Sequence, residues 1–210
     1  MPRVYGGVQA SERSAARRQR LLDAGLDLLG TDGWSATTVR AVCASARLTP
    51  RYFYESFADL DALLLAVFDE VTDEVAVRAL AAVTPPPGDA RATARAAIAA
   101  GVEVLTDDPR KARVMFAEAM GSEALATRRR ETLRGFAMLV AAQGSAFYGI
   151  GDPADRLVQL SATMLVGGLA EAFAAWLDGG VPATREQLID ECAELFVATG
   201  EAAVRLARLR

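Results

Sequence analysis

Arg51 and Tyr52 stand side by side in the stretch Thr37 to Phe57, TTVRAVCASARLTPRYFYESF, and what surrounds them decides what they can do. Thr49 followed by Pro50 is a helix start, because a proline at the first helical position gives up an N–H that would be unpaired anyway. Phe53 and Phe57, four apart, face inward, which leaves Arg51, Tyr52 and Glu55 outward with Tyr54 at the flank. A short helix with that exposed edge is suited to a major groove, where the first residues of a recognition helix meet base edges and an arginine can bind guanine through two hydrogen bonds. The same residues could equally be the solvated face of a helical hairpin. Thr38 is a suitable cap for a preceding helix that begins at Val39, with Val39, Val42, Cys43 and Ala46 as its apolar stripe and a turn through Arg47 and Leu48.

The rest of the chain offers little other chemistry. It has 22 Arg, the single Lys111 and no His. The usual general base, the usual metal ligand and every Ser/His or Cys/His pair are thereby missing. Enzyme function, metal sites and cofactors are not expected. Cys43 and Cys192 are far apart and read as small buried hydrophobes rather than a bonded pair, which fits a reducing cytoplasm. The charge-free run Gly135 to Gly151 is 17 residues long with four Gly, short of the ~20 apolar residues that span a bilayer. No signal peptide or membrane association is expected. Net charge is −4, but it is unevenly placed. Residues 1–57 hold eight Arg and five acids, an excess of three positive charges, and the remainder holds 15 basic and 22 acidic residues. A basic end on an acidic body suits a DNA reader with a separate sensing or assembly domain.

Residues 1–60 resemble the DNA-binding domain of the TetR family of bacterial transcriptional regulators. The likeness lies in a long first helix, Gly33-Trp34, the start Thr37-Thr38-Val39, and a second helix ending in Phe53, Tyr54 and Phe57. The resemblance implies that Thr38 and Tyr54 hold phosphates, with Arg40 nearby, while Thr49, Pro50, Arg51 and Tyr52 approach bases. Two residues depart from the family pattern. Arg47 stands where the turn usually has Gly, so a left-handed arginine at about 1–2 kcal/mol is expected. Leu60 stands where a backbone-touching Lys is usual.

The elements that must position this edge read as all-α, about nine helices, with no strand pattern. Residues 1–10 have no period and read as a mobile arm. Ser11 starts a helix to about Gly30, with Leu21, Leu22, Gly25, Leu28 and Leu29 at helical spacing. Arg13, Arg17, Arg18 and Arg20 crowd its first half, as a solvated face or as phosphate contacts. Trp34 would close a three-helix core against Phe53 and Phe57. The helix-turn-helix domain is placed at 1–57 and a larger helical effector-binding and dimerisation domain at 58–210. A helix capped by Asp59 runs to about Val83, its buried side marked by Leu63, Leu64, Val67, Val71 and Val75, and Pro85 to Gly88 end it. Further helices are read at about 89–106, 109–120, 123–148, 153–178 and 185–208. Arg128, Arg129 and Arg130 read as a partly ion-paired face.

The last two helices carry apolar faces too wide for one partner inside the monomer. An isologous four-helix interface through Leu157, Met164, Gly168, Trp176, Leu188, Cys192, Leu195, Phe196 and Thr199 would cover them, and the resemblance implies the same pairing. The alternative is that both helices are simply core. Dimerisation would present two recognition helices to a palindromic double-stranded operator. Met115, Phe116, Met120, Phe136, Val140, Phe147 and Met164, with Glu118, Gln143 and Glu171 as polar partners, could line a pocket or could be core. The resemblance implies a small, often hydrophobic, effector. The function read from all this is a ligand-responsive homodimeric repressor; the alternative is a helical DNA-binding or protein-interaction module without an effector.

Overall fold

The computed structural model describes residues 5–84, 89–116, 122–149, 152 and 155–209, with side chains from Ser11 onward. Among them are nine α-helices and no strand: α1 Tyr5–Thr31, α2 Val39–Ala46, α3 Pro50–Ser56, α4 Leu60–Ala82, α5 Ala90–Asp107, α6 Pro109–Phe116, α7 Glu123–Tyr148, α8 Arg156–Leu177 and α9 Arg185–Arg208. They divide into two compact units, one of Met1–Thr72 and Asp108–Arg128, the other of Asp73–Asp107 and Arg129–Arg210.

In the first unit, α1 begins at Tyr5 and not at Ser11, so residues 5–10 are helix where an irregular arm was expected. Once a long helix is nucleated, each further residue adds a hydrogen bond for one more ordered residue, and Gly6 and Gly7 weaken that extension without blocking it. Leu21, Leu22, Ala24 and Leu29 of α1 are buried with Val42, Cys43, Phe53, Phe57, Leu63, Leu64, Val67 and Phe68, and Trp34 packs partly buried against them. Val114 of α6 and Leu125 of the first turn of α7 belong to the same core. The expected boundary at Phe57 therefore falls inside this unit, because the apolar stripe of α4 continues the core that α1 to α3 begin. Where α6 meets α1, a Cβ at Gly30 would lie 2.8 Å from the Arg110 Cα, so only glycine admits this approach.

In the second unit, α5 lies along α9 with ion pairs from Arg95 to Asp190 at 2.6 Å, from Arg185 to Glu103 at 3.4 Å, and from Arg91 to Glu194. Small residues allow α7 and α8 to meet at Ala137, Ala141, Ala162 and Val166. Thr184 and Gln187 form a reciprocal capping box that starts α9. The helix expected at 109–120 is described as far as Phe116; the rest of it and the stop at 85–88 lie outside the described residues. Among the described residues, α8 is the one helix long and apolar enough to cross a membrane: 22 residues at hydropathy 1.5, with 17% of its most apolar 18-residue window buried. Glu171 interrupts it and pairs with Arg129 at 2.8 Å.

Candidate nucleic-acid interface

Two caps and one strained turn set the angle at which α3 leaves α2. The Thr38 hydroxyl accepts from the Ala41 N–H at 3.1 Å, which satisfies a donor of the first turn of α2. Arg47 then adopts the left-handed conformation expected of it, at φ 52° and ψ 46°. Its N–H donates to the Ala44 carbonyl at 3.2 Å and that of Leu48 to the Cys43 carbonyl at 2.9 Å, the Schellman pattern that normally employs glycine. The Arg20 guanidinium donates to the carbonyls of Ala46 and, at 3.4 Å, Arg47. A cation on the exposed carbonyls at the end of α2 offsets part of the cost of a non-glycine turn. Upstream, the buried Thr37 hydroxyl donates to the Gly33 carbonyl at 2.9 Å, and Gly33 itself has φ 84°.

α3 is short and one-sided. Phe53 is fully buried, and its ring meets Phe57 at 5.8 Å and the edge of Tyr54 at 5.3 Å. Thr38, Arg40, Thr49, Pro50, Arg51 and Tyr54 are exposed, Tyr54 to 60%, and Tyr52 is half-buried. Thr49 sits at the cap position of α3, but its hydroxyl makes no capping bond. The donor it would have taken, the Tyr52 N–H, already binds the Thr49 carbonyl at 3.0 Å, which leaves the hydroxyl open at the tip of the helix. The Arg51 side chain is 83% exposed, with its Nε on Glu55 at 3.0 Å. Leu60 packs partly buried against the core, a packing role in place of the usual backbone-touching Lys.

The arginines of α1 are neither a plain solvated face nor simply free for phosphate. The Arg17 guanidinium lies 4.6 Å from the centre of the Tyr52 ring, and that of Arg18 lies 4.9 Å from that of Phe57. With Arg20 on the end of α2, three of the four hold the helix-turn-helix. Their spacing on one helix gave a charge pattern, but only the fold says which aromatic each one meets. Arg128 pairs with Asp69 at 3.3 Å, as the ion-paired reading of that trio predicts. Cys43 and Cys192 are free thiols, both pushed above the usual thiol range by burial, Cys192 also by Glu191.

The expected pocket residues fall in both units. Met115 packs against the core of the first unit, and Phe136 and Val140 pack on the α7/α8 cluster of the second. Gln143, Phe147, Met164 and Glu171 are exposed and Phe116 is half-buried; Glu118 and Met120 lie outside the described residues. A shallow apolar depression is formed instead by Val102, Leu105, Thr106, Phe173, Trp176 and Leu177. The expected pairing residues also separate. Leu157 and Leu188 are buried in the second unit's own core, and the Trp176 Nε1 donates to the Ala183 carbonyl at 2.8 Å. Met164, Gly168 and Leu195 are exposed, and Cys192, Phe196 and Thr199 are half-buried. Sequence periodicity gave the apolar faces but could not divide them between inside and outside.

Residues 21–67 match the family model of bacterial regulatory proteins of the tetR family. The fold is similar to that of a transcriptional regulator FadR from Bacillus subtilis solved with stearoyl-CoA, at TM-score 0.71 and 18% identity over 86% of this chain and 98% of that one. It is also similar to a TetR family transcription regulator from Marinobacter aquaeolei VT8, at TM-score 0.61 and 21% identity over 90% and 97%. A multidrug binding protein, EbrR, solved with imidazole gives TM-score 0.65 and 22% identity over 87% and 94%. A search of the curated proteins finds no match. Residues 21–67 thus carry the signature of bacterial regulatory proteins of the tetR family across the helix-turn-helix, and the fold along most of the chain is similar to that of solved transcriptional regulators.

Proposed function

We propose that the chain is a homodimeric repressor that reads a palindromic operator through Thr49, Pro50, Arg51 and Tyr52, with Thr38, Arg40 and Tyr54 at the phosphates, and that a small apolar effector releases it. The observation that carries the DNA reading is the one-sidedness of α3. Its aromatic side closes the core behind it, and its N-terminal end presents the open Thr49 hydroxyl and the Arg51 guanidinium outward, with the exposed Tyr54 phenol further along. The exposed Leu160 and Met164 on α8, with Leu195 and Leu206 on α9, support a second copy as the cover for this face. The family-wide fold, with one relative solved with stearoyl-CoA and another named for multidrug binding, supports a small effector.

The test is selection of bound fragments from random duplex DNA by the full-length protein. Enrichment of a palindrome, with affinity that falls steeply as salt rises, supports the reading. Failure to enrich any sequence sinks it. A second reading, a DNA-binding regulator without a small effector, is favoured by the exposure of Gln143, Phe147, Met164 and Glu171 within the second unit. A ligand screen in which no compound changes operator affinity would select that reading, since only differential affinity for two states shifts their balance.

A further inference from the structure

We infer that the reading side chains of α3 are pre-set by two residues that read nothing themselves: Arg17 of α1 positions Tyr52, and Glu55, one turn along α3, positions Arg51. The inference rests on the DNA reading proposed above and adds to it two determinants of specificity. Tyr52 is half-buried, and the face of its ring is covered by a guanidinium 4.6 Å from the ring centre. That attraction favours one ring orientation over the others the side chain could adopt at the groove. Arg51, otherwise a long mobile side chain in solvent, is tethered through Nε to Glu55 at 3.0 Å. With Nε engaged, its two terminal nitrogens remain, and these can form the parallel pair of bonds that guanine accepts at O6 and N7.

The two supports have opposite charges, and that makes positioning separable from simple electrostatics. Arg17 attracts any duplex and Glu55 repels any duplex. If charge were their only contribution, Arg17→Gln would weaken and Glu55→Gln would strengthen binding to all sequences alike. The ratio of operator to random-DNA affinity would stay fixed. If they position the reading residues, both substitutions lower that ratio, although random-DNA affinity moves in opposite directions.

The experiment uses the full-length protein and the operator obtained by selection, and measures affinity for that operator and for random duplex across a salt series. Arg17→Gln is expected to lower the ratio by about two- to fivefold and Glu55→Gln by about twofold. In a Tyr52→Ala background, Arg17→Gln should no longer change the ratio, and in an Arg51→Ala background neither should Glu55→Gln. A ratio unchanged in both single variants overturns this inference and leaves the DNA reading standing. A drop that persists undiminished in the Tyr52→Ala and Arg51→Ala backgrounds also overturns it. A wild-type protein that selects no sequence removes the proposed function and this inference together.

Discussion

The two units of this chain close their cores to different degrees. Among the described residues, eleven large side chains are essentially inaccessible, and ten of them, including Phe53, Phe68, Leu21 and Leu63, lie in the first unit; only Val102 lies in the second. Exposed large hydrophobics follow the reverse pattern, with Tyr54 alone in the first unit and Met138, Leu160, Met164, Leu195 and Leu206 among those of the second. A single exposed leucine needs no explanation, but a series of them along consecutive helices does. The first unit finishes its own core, so what it exposes is polar and available for a groove. The second keeps apolar surface in reserve, which in the proposed dimer a second copy covers.

The sharpest way to break this contrast is to truncate one ring in each core. Phe53→Ala should cost about 3–5 kcal/mol and abolish DNA binding, because a fully buried ring leaves a cavity that the packed helices cannot collapse around. Phe173→Ala in the second unit should cost less, because that ring retains 8% of its surface in solvent. Denaturant unfolding of both variants measures the difference; equal losses would remove the distinction between the cores. Next in size is a change made only to the surface. Leu195 is 68% exposed, so Leu195→Glu should leave the fold of one chain intact. In the proposed dimer it would bury a charge, and should loosen pairing by about 3 kcal/mol, on the order of a hundredfold in Kd. Sedimentation that remains dimeric at the same concentrations would mean that α9 is not the pairing face.

On the first unit's exposed side, Arg51→Ala should relax sequence preference and cost about 1–3 kcal/mol on the operator if Arg51 reads a guanine. Equal loss on operator and random duplex, measured by fluorescence anisotropy, would assign Arg51 to the phosphates instead.

What was legible in the chain beforehand follows the same division. Local signals gave local structure: Thr38 before Val39, Thr49-Pro50, and Asp59 ahead of Leu60 mark helix starts where the helices begin, and the inward turn of Phe53 and Phe57 followed from their spacing. The left-handed turn at Arg47 was expected because the family resemblance puts a glycine at that position. Information that depends on which helix meets which was hidden. The Thr49 hydroxyl is idle because a backbone carbonyl took its donor. Arg17, Arg18 and Arg20 have their partners on other elements. That α6 belongs with α1 depends on Gly30, whose missing side chain is an absence with no periodicity to show it.

That α1/α6 junction supplies the smallest effect and the one with a pH signature. Arg110 donates to both oxygens of Asp108, at 2.9 Å to Oδ1 and 2.8 Å to Oδ2, and reaches Asp27 at 3.2 Å. The hydrogen bond from Arg110 holds the Asp108 carboxyl below its usual range, against a smaller opposing effect of burial. A carboxylate with a depressed folded-state pKa stabilises the fold above its unfolded pKa and loses that contribution as pH falls through the folded value. Arg110 is 41% exposed, so solvent screens the pair and the whole contribution is about 1 kcal/mol. Asp108→Asn should therefore melt below wild type by a constant margin from neutral pH down to about pH 5, and the two should converge below about pH 4, where Asp108 takes up its proton in the unfolded chain first. A margin that persists undiminished at pH 3 would mean that the asparagine disturbs the approach of α6 to α1 through shape and not through charge.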